Sequence, residues 1–147
     1  MSTLAGAVDY TTKIPNNVNL ADDQHVLVDA SARFAEAAHP LTALRDGSWD
    51  EPSVAARYLR QAGELGWFSL VVAEEFGGGT VSGNGVVDAA LVAMARGRLL
   101  QPGPFVGTNV VARALSTGGT AEHRRDVLPT LMPVMPAVGF FWFQDEA

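Results

Sequence analysis

Hydrophobic positions recur along this chain at helical spacing, in blocks separated by short breaks rich in glycine and proline. Val26, Ala30, Phe34 and Ala37 fall at i, i+4, i+8 and i+11 and predict one face of a first helix. Asn19 is its expected N-cap, and Asp22 and Asp23 place negative charge in the first turn, where the helix dipole favours it. That helix should stop by His39, because Pro40 disfavours the helical conformation in the residue before it. A loop through Asp46-Gly47-Ser48 leads to a second helix, capped by Asp50 or Glu51, with Pro52 near its first position. Val54, Ala55, Tyr58, Leu59, Ala62 and Leu65 form its apolar face.

Ser82 to Asn84 open a third helix. From Val86 to Ala95 it is apolar almost all round, with only Asp88 interrupting, so it is expected to be central and buried on every side. Pro102 and Pro104 start a fourth, with Phe105, Val106, Val110, Val111, Ala114 and Leu115 on a broad apolar face and Gly118-Gly119 at its end. Thr120 is a natural N-cap for a fifth, in which Val127, Leu128, Leu131 and Met132 are the apolar positions. Pro129, Pro133 and Pro136 should limit its length. The run from Ala137 to Phe143 then changes period and composition and reads as a short buried strand. No other segment offers that strand a partner, although ladder donors and acceptors need one. The expected architecture is therefore all-α, with five to six helices, ending in the first strand of a missing β-domain. Residues 1–18 read as a lead-in, 19–136 as the helical domain and 137–147 as the start of a truncated β-domain.

The stretch from Leu65 to Gly79 organises the rest. Gly66 can take the left-handed conformation that closes a helix. An apolar run with no polar alternation follows, too short for a helix of its own and expected to be buried. Glu74 and Glu75 come next, then Gly77, Gly78 and Gly79, where no side chain obstructs the backbone.

Composition narrows the function classes. The chain has 147 residues, enough for one domain with its own core, of which 48% are hydrophobic and 18% charged. Its net charge of −6 argues against a nucleic-acid or anionic-membrane surface, both of which need clustered Lys and Arg. With no cysteine, disulfides, thiolate metal sites and cysteine nucleophiles are excluded. No apolar run reaches the roughly 18–20 residues of a membrane span, and no signal peptide is visible. A soluble cytoplasmic protein is the default expectation.

Three separated segments resemble the N-terminal helical domain of the acyl-CoA dehydrogenases, in the family's order. Glu74-Glu75-Phe76-Gly77-Gly78 is similar to its P-E-E-aromatic-G-G loop, with Ala73 in place of the usual proline. Gly119 to Pro129 resembles its G-[ST]-x-E-Q-[KR]-x-x-[YW]-L-P segment, with His123 for glutamine and Val127 for the aromatic. Phe141 to Ala147 looks like the entry to its middle β-domain, with Asp145 for threonine and Ala147 for proline. The resemblance implies FAD as cofactor and an acyl-CoA as substrate, oxidised at its α,β bond within a homo- or hetero-oligomer. It gives no residue here the role of catalytic base. It places Trp142, Gln144 and Asp145 near the flavin, and Val106, Asn109 and Val110 along the acyl side, where plain core packing is the competing explanation. The chain alone is expected to be inactive. The alternative is a non-catalytic helical binding module, or a degenerate subunit of a hetero-oligomeric dehydrogenase.

Other chemistries fit less well. Glu74 and Glu75 are neighbours and point apart more readily than they pair. The glycines from Gly77 to Gly85 lack the lysine of a phosphate loop and the third glycine of a dinucleotide fingerprint. His25, His39 and His123 have no metal-ligand spacing. His123-Arg124-Arg125 is most simply a solvated helix face.

Overall fold

The computed structural model describes residues 19–38 and 40–132. Within them the helices are α1 (Asp22–Ala38), α2 (Pro40–Asp46), α3 (Pro52–Glu64), α4 (Gly85–Arg98), α5 (Phe105–Gly118) and α6 (Leu128–Leu131). No strand occurs among the described residues, so the fold is all-α. The lead-in over 1–18 and the strand expected over 137–143 lie outside them. No helix among the described residues is long and apolar enough to cross a membrane.

Helix α1 begins at Asp22 rather than directly after Asn19. The Oε1 of Gln24 closes its first turn by accepting the Ala21 N–H at 3.1 Å. Its buried positions are Gln24, Leu27, Val28, Ser31, Ala32 and Ala35, a stripe rotated away from the one hydropathy predicts. Val26, expected to face the core, is 64% exposed. Two of the inward positions are polar and bond to other elements, so hydropathy alone misplaces the inward face, although Phe34 at the edge of the predicted face still packs against the core. Pro40 ends α1 as expected, but it also opens α2, which periodicity did not reveal. At a helix's first position the missing proline N–H costs nothing.

Helix α4 packs along α1. Its inner stripe is Asp88, Leu91, Val92, Ala95 and Arg96, with a charge near each end. The expectation that α4 is covered on all sides is corrected by its outer face, where Val86 is 64% and Met94 39% exposed. The apolar residues exceed what the inner stripe can take, because two of its places go to charges.

The core forms around the stretch after α3. Trp67 and Phe68 are almost wholly buried and join Leu70 of the same stretch in one cluster with Leu27, Ala62, Val92 and Phe105 from the surrounding helices. Burial of one such side chain contributes roughly 1.5–3 kcal/mol. A second cluster joins Val72 to Ala112, Leu128 and Leu131. From Thr120 the chain is helical to Leu131, and the Thr120 hydroxyl accepts the His123 N–H at 3.2 Å as an N-cap. Pro129 does not end this helix. The turn His123–Val127 widens, and the Leu128 N–H reaches back to the His123 carbonyl. A wide turn lets the ladder pass a proline that has no N–H and needs room for its ring.

Candidate functional site

Gly66 closes α3 with φ 78°, and the chain then turns inward through Trp67 to Val72 in successive tight turns. Trp67 anchors it at several points. Its indole N–H donates to Ser31 Oγ at 3.2 Å, its carbonyl accepts from Asn109 Nδ2 at 3.0 Å, and its ring meets those of Phe34 and Phe105 edge-on. Glu74 to Phe76 form a single 3-10 turn at the surface, with both carboxylates exposed, and Gly77 leaves it at φ 83°. The glycines serve close backbone packing. A Cβ on Gly78 would lie 2.2 Å from the Val72 carbonyl oxygen, and one on Gly85 1.8 Å from that of Leu70.

Ala73, at the position of the expected proline, keeps a proline-like backbone with φ −66° and ψ 146°. Its N–H, which proline would lack, donates to Ser116 Oγ on α5 at 3.1 Å. The departure therefore exchanges backbone stiffness for a tie to the neighbouring helix.

Asp88, the one interruption in the apolar α4 pattern, proves to be a hub that is 0% exposed. Its Oδ1 accepts from Ser82 Oγ at 2.6 Å and from Gln24 Nε2 at 3.1 Å. Its Oδ2 accepts the backbone N–H groups of Val81 and Ser82 at 2.9 and 3.1 Å. One carboxylate thus joins α1, the glycine loop and α4. Desolvation pushes this carboxyl up, but the hydrogen bonds from Ser82, Gln24 and the two amides together outweigh it and hold it below its ordinary range.

Arg96, two turns further along the same stripe, is buried against rings and carbonyls. Its guanidinium carbon lies 5.0 Å from the Trp67 ring centre and 5.1 Å from that of Phe105. It donates to the Tyr58 hydroxyl oxygen at 3.3 Å and to the Pro102 carbonyl at 2.6 Å. Burial pushes the Tyr58 hydroxyl above its ordinary pKa, partly offset by Arg96, so Tyr58 stays neutral and donates to Gln101 Oε1. This clamp holds the turn into α5, where Leu100 sits at φ 49°, a conformation costing a side chain about 1–2 kcal/mol. Sequence reading missed both Asp88 and Arg96 as organisers. The available signal was two charges at inward positions of an apolar helix, which burial permits only if their hydrogen bonds are met.

The residues expected along the acyl side divide. Val106 and Val110 stand one turn apart on the outer face of α5, 65% and 59% exposed. Asn109 points inward, donating to the Trp67 and Phe105 carbonyls at 3.0 and 2.9 Å, while its buried Oδ1 has no partner among the described residues. Trp142, Gln144 and Asp145 lie outside the described residues. Arg124, expected on a solvated face, instead folds back to donate to the Leu115 and Thr117 carbonyls and stacks over Phe76 at 5.2 Å. It ties the α6 segment to α5 and to the glutamate turn. No group of three or more His, Asp or Glu able to hold a metal occurs among the described residues.

The buried turn after Gly66, the glycine contacts with the Leu70 and Val72 carbonyls, and the helices around them make one continuous unit. A family model described as "Acyl-CoA dehydrogenase, N-terminal domain" matches residues 21–133, which takes in every helix above. No match is found among curated proteins or solved structures. With that model covering well over half of its length, the chain belongs to the acyl-CoA dehydrogenase family through its N-terminal domain.

Proposed function

We propose that this chain is the N-terminal part of a flavin-dependent acyl-CoA dehydrogenase, with α5 forming one wall of the pocket for the acyl thioester. The observation that carries this reading is the pair Val106 and Val110, two large apolar side chains left open on α5 while its other face is closed by the core. An acyl chain is held by such a surface because burial of methylene groups is the main source of its affinity. Asn109 supports the wall from behind by tying α5 to the buried turn at Trp67.

The flavin, FAD in this reading, supplies the oxidation of the acyl α,β bond. Of the residues assigned to it, the Gln144 amide both donates and accepts and the Trp142 indole donates, which suits a flavin ring and its carbonyls. An ionised Asp145 only accepts, and it adds negative charge beside a ring that gains electrons. No residue of this chain takes the role of catalytic base. Residues 19–136 form the helical domain and 137–147 open a β-domain, in a cytoplasmic oligomer.

The test uses protein purified from its native source, assayed for bound flavin and for acyl-CoA-dependent reduction of an artificial electron acceptor. Flavin and activity are expected, and Val106→Asp should lower kcat/KM at least tenfold without changing flavin content. A colourless, inactive 147-residue species would overturn the proposal in favour of a helical binding module or partner subunit. Unchanged kinetics in the Val106→Asp protein would remove α5 from the pocket.

A further inference from the structure

A partly open depression with a volume of about 310 Å³ lies between the end of α1, α2 and one face of α3. It shares no residue with the Val106–Val110 face. Its volume is at the lower end of the roughly 300–1,000 Å³ usual for small-molecule sites. Ala43, Val54 and the rings of Trp49 and Tyr58 form its apolar part, and the two rings meet near edge-on at 5.3 Å. Arg57 and Gln61 form its polar part, and as i and i+4 on α3 they rise from one helix face. Arg57 is the only charged side chain among the described lining residues.

Two features make this more than a chance gap. Trp49 is held in place by a built turn: Gly47 takes φ 79°, and the Ser48 N–H and hydroxyl both donate to Asp46 Oδ1, at 2.9 and 2.6 Å. Those bonds, the hydroxyl's foremost, hold the Asp46 carboxyl below its ordinary pKa, so the turn keeps its acceptor at neutral pH. Tyr58 is equally fixed, because its hydroxyl is engaged by Gln101 and Arg96. Tyr58 is only 4% exposed, with Phe34 stacked on it at 5.3 Å, so it backs Trp49, and the half-buried Trp49 and Val54 are the apolar side chains left open to the depression.

We propose that this depression binds a small aromatic carboxylate. The ligand ring packs against Trp49 and Val54, and its carboxylate takes the forked N–H groups of Arg57 and the amide N–H of Gln61. A guanidinium matches a carboxylate in two parallel hydrogen bonds, and an apolar surface beside the fork rewards a ring over a purely polar anion. A cationic ligand is disfavoured by Arg57, and an aliphatic one forgoes the ring contacts.

The probe is benzoate, titrated into the full chain by calorimetry, with tryptophan fluorescence as a second readout through Trp49. Saturable one-to-one binding is expected, weakened at least tenfold by Arg57→Gln and equally when benzamide replaces benzoate. Arg57 is exposed, so its replacement should leave the far-UV circular dichroism unchanged. Ala43→Trp, which fills the depression, should abolish binding at an unchanged melting temperature. Failure of benzoate to saturate, or equal affinity for Arg57→Gln or benzamide, would overturn the proposal.

Discussion

Asp88→Asn keeps the size of the side chain and removes the acceptor on one side of it. Four donors converge on this carboxylate, two at each oxygen. An amide accepts through its oxygen only, and its NH₂ group faces donors wherever it is turned. If the NH₂ takes the Oδ1 side, the buried Gln24 Nε2 loses its acceptor, and Gln24 cannot turn over without releasing the Ala21 N–H. If it takes the Oδ2 side, the Val81 and Ser82 amides lose theirs, but both residues are exposed and water can replace the bond. The second arrangement is cheaper and should be the one adopted. A hydrogen bond to a charged group contributes roughly 1.5–3 kcal/mol, so losing two of them, with partial replacement by water, should cost about 2–4 kcal/mol. In a chain of this length that is a fall in Tm of about 10 °C.

Urea unfolding of both proteins at pH 7 and pH 3 measures this cost, and hydrogen exchange localises it to the Val81 and Ser82 amides. The pH dependence has a definite sign. The folded carboxyl is held below its ordinary value of 3.8, so its stabilisation is complete above that pH and is lost as pH falls through the lower folded value. The gap between the native protein and Asp88→Asn should therefore be widest at neutral pH and narrow below about pH 4. A difference under about 1 kcal/mol at pH 7, or a gap no smaller at pH 3 than at pH 7, would refute the reasoning.

Two further predictions concern the loop. Ala73 already has a φ that proline can adopt, so Ala73→Pro should gain about 0.4–1 kcal/mol from the unfolded state and lose about 1 kcal/mol with the bond to Ser116, ending near neutral. Ser116→Ala should cost about 1 kcal/mol in the native background and close to nothing in the Ala73→Pro background, a coupling that a double-mutant cycle in urea reads directly. Gly85→Ala drives a Cβ to 1.8 Å from the Leu70 carbonyl oxygen and should cost about 3 kcal/mol or more, while Gly79→Ala, with open space around it, should stay within about 1 kcal/mol. Equal melting temperatures for the two alanine variants would show that the close approach at Gly85 relaxes freely.

Apart from α2, the sequence by itself determined the element types among the described residues and most of their ends, because those depend on neighbours in the chain. Pro52 at the start of α3, Gly66 at its end, the Asn84 and Thr120 caps and Gly119 closing α5 all act within one helical turn, and all are present. The burial of the run after Gly66 was equally legible, since Trp67 to Val72 can satisfy so much apolar surface only inside. The family resemblance rested on the same local chemistry. Which face of α1 turns inward was decided by tertiary structure, through Gln24 and Ser31, whose partners Asp88 and Trp67 are remote in sequence. The same is true of Asp88 and Arg96. Periodicity scores a charge as a place to meet water, whereas these two meet converging hydrogen-bond donors and aromatic rings. The division of α5 between an open Val106–Val110 face and a buried Asn109 was also settled only by where the loop from α3 runs. A pattern of hydropathy records how much surface a segment must bury. The direction it faces follows from polar partners elsewhere in the chain, and those are brought together only by the fold.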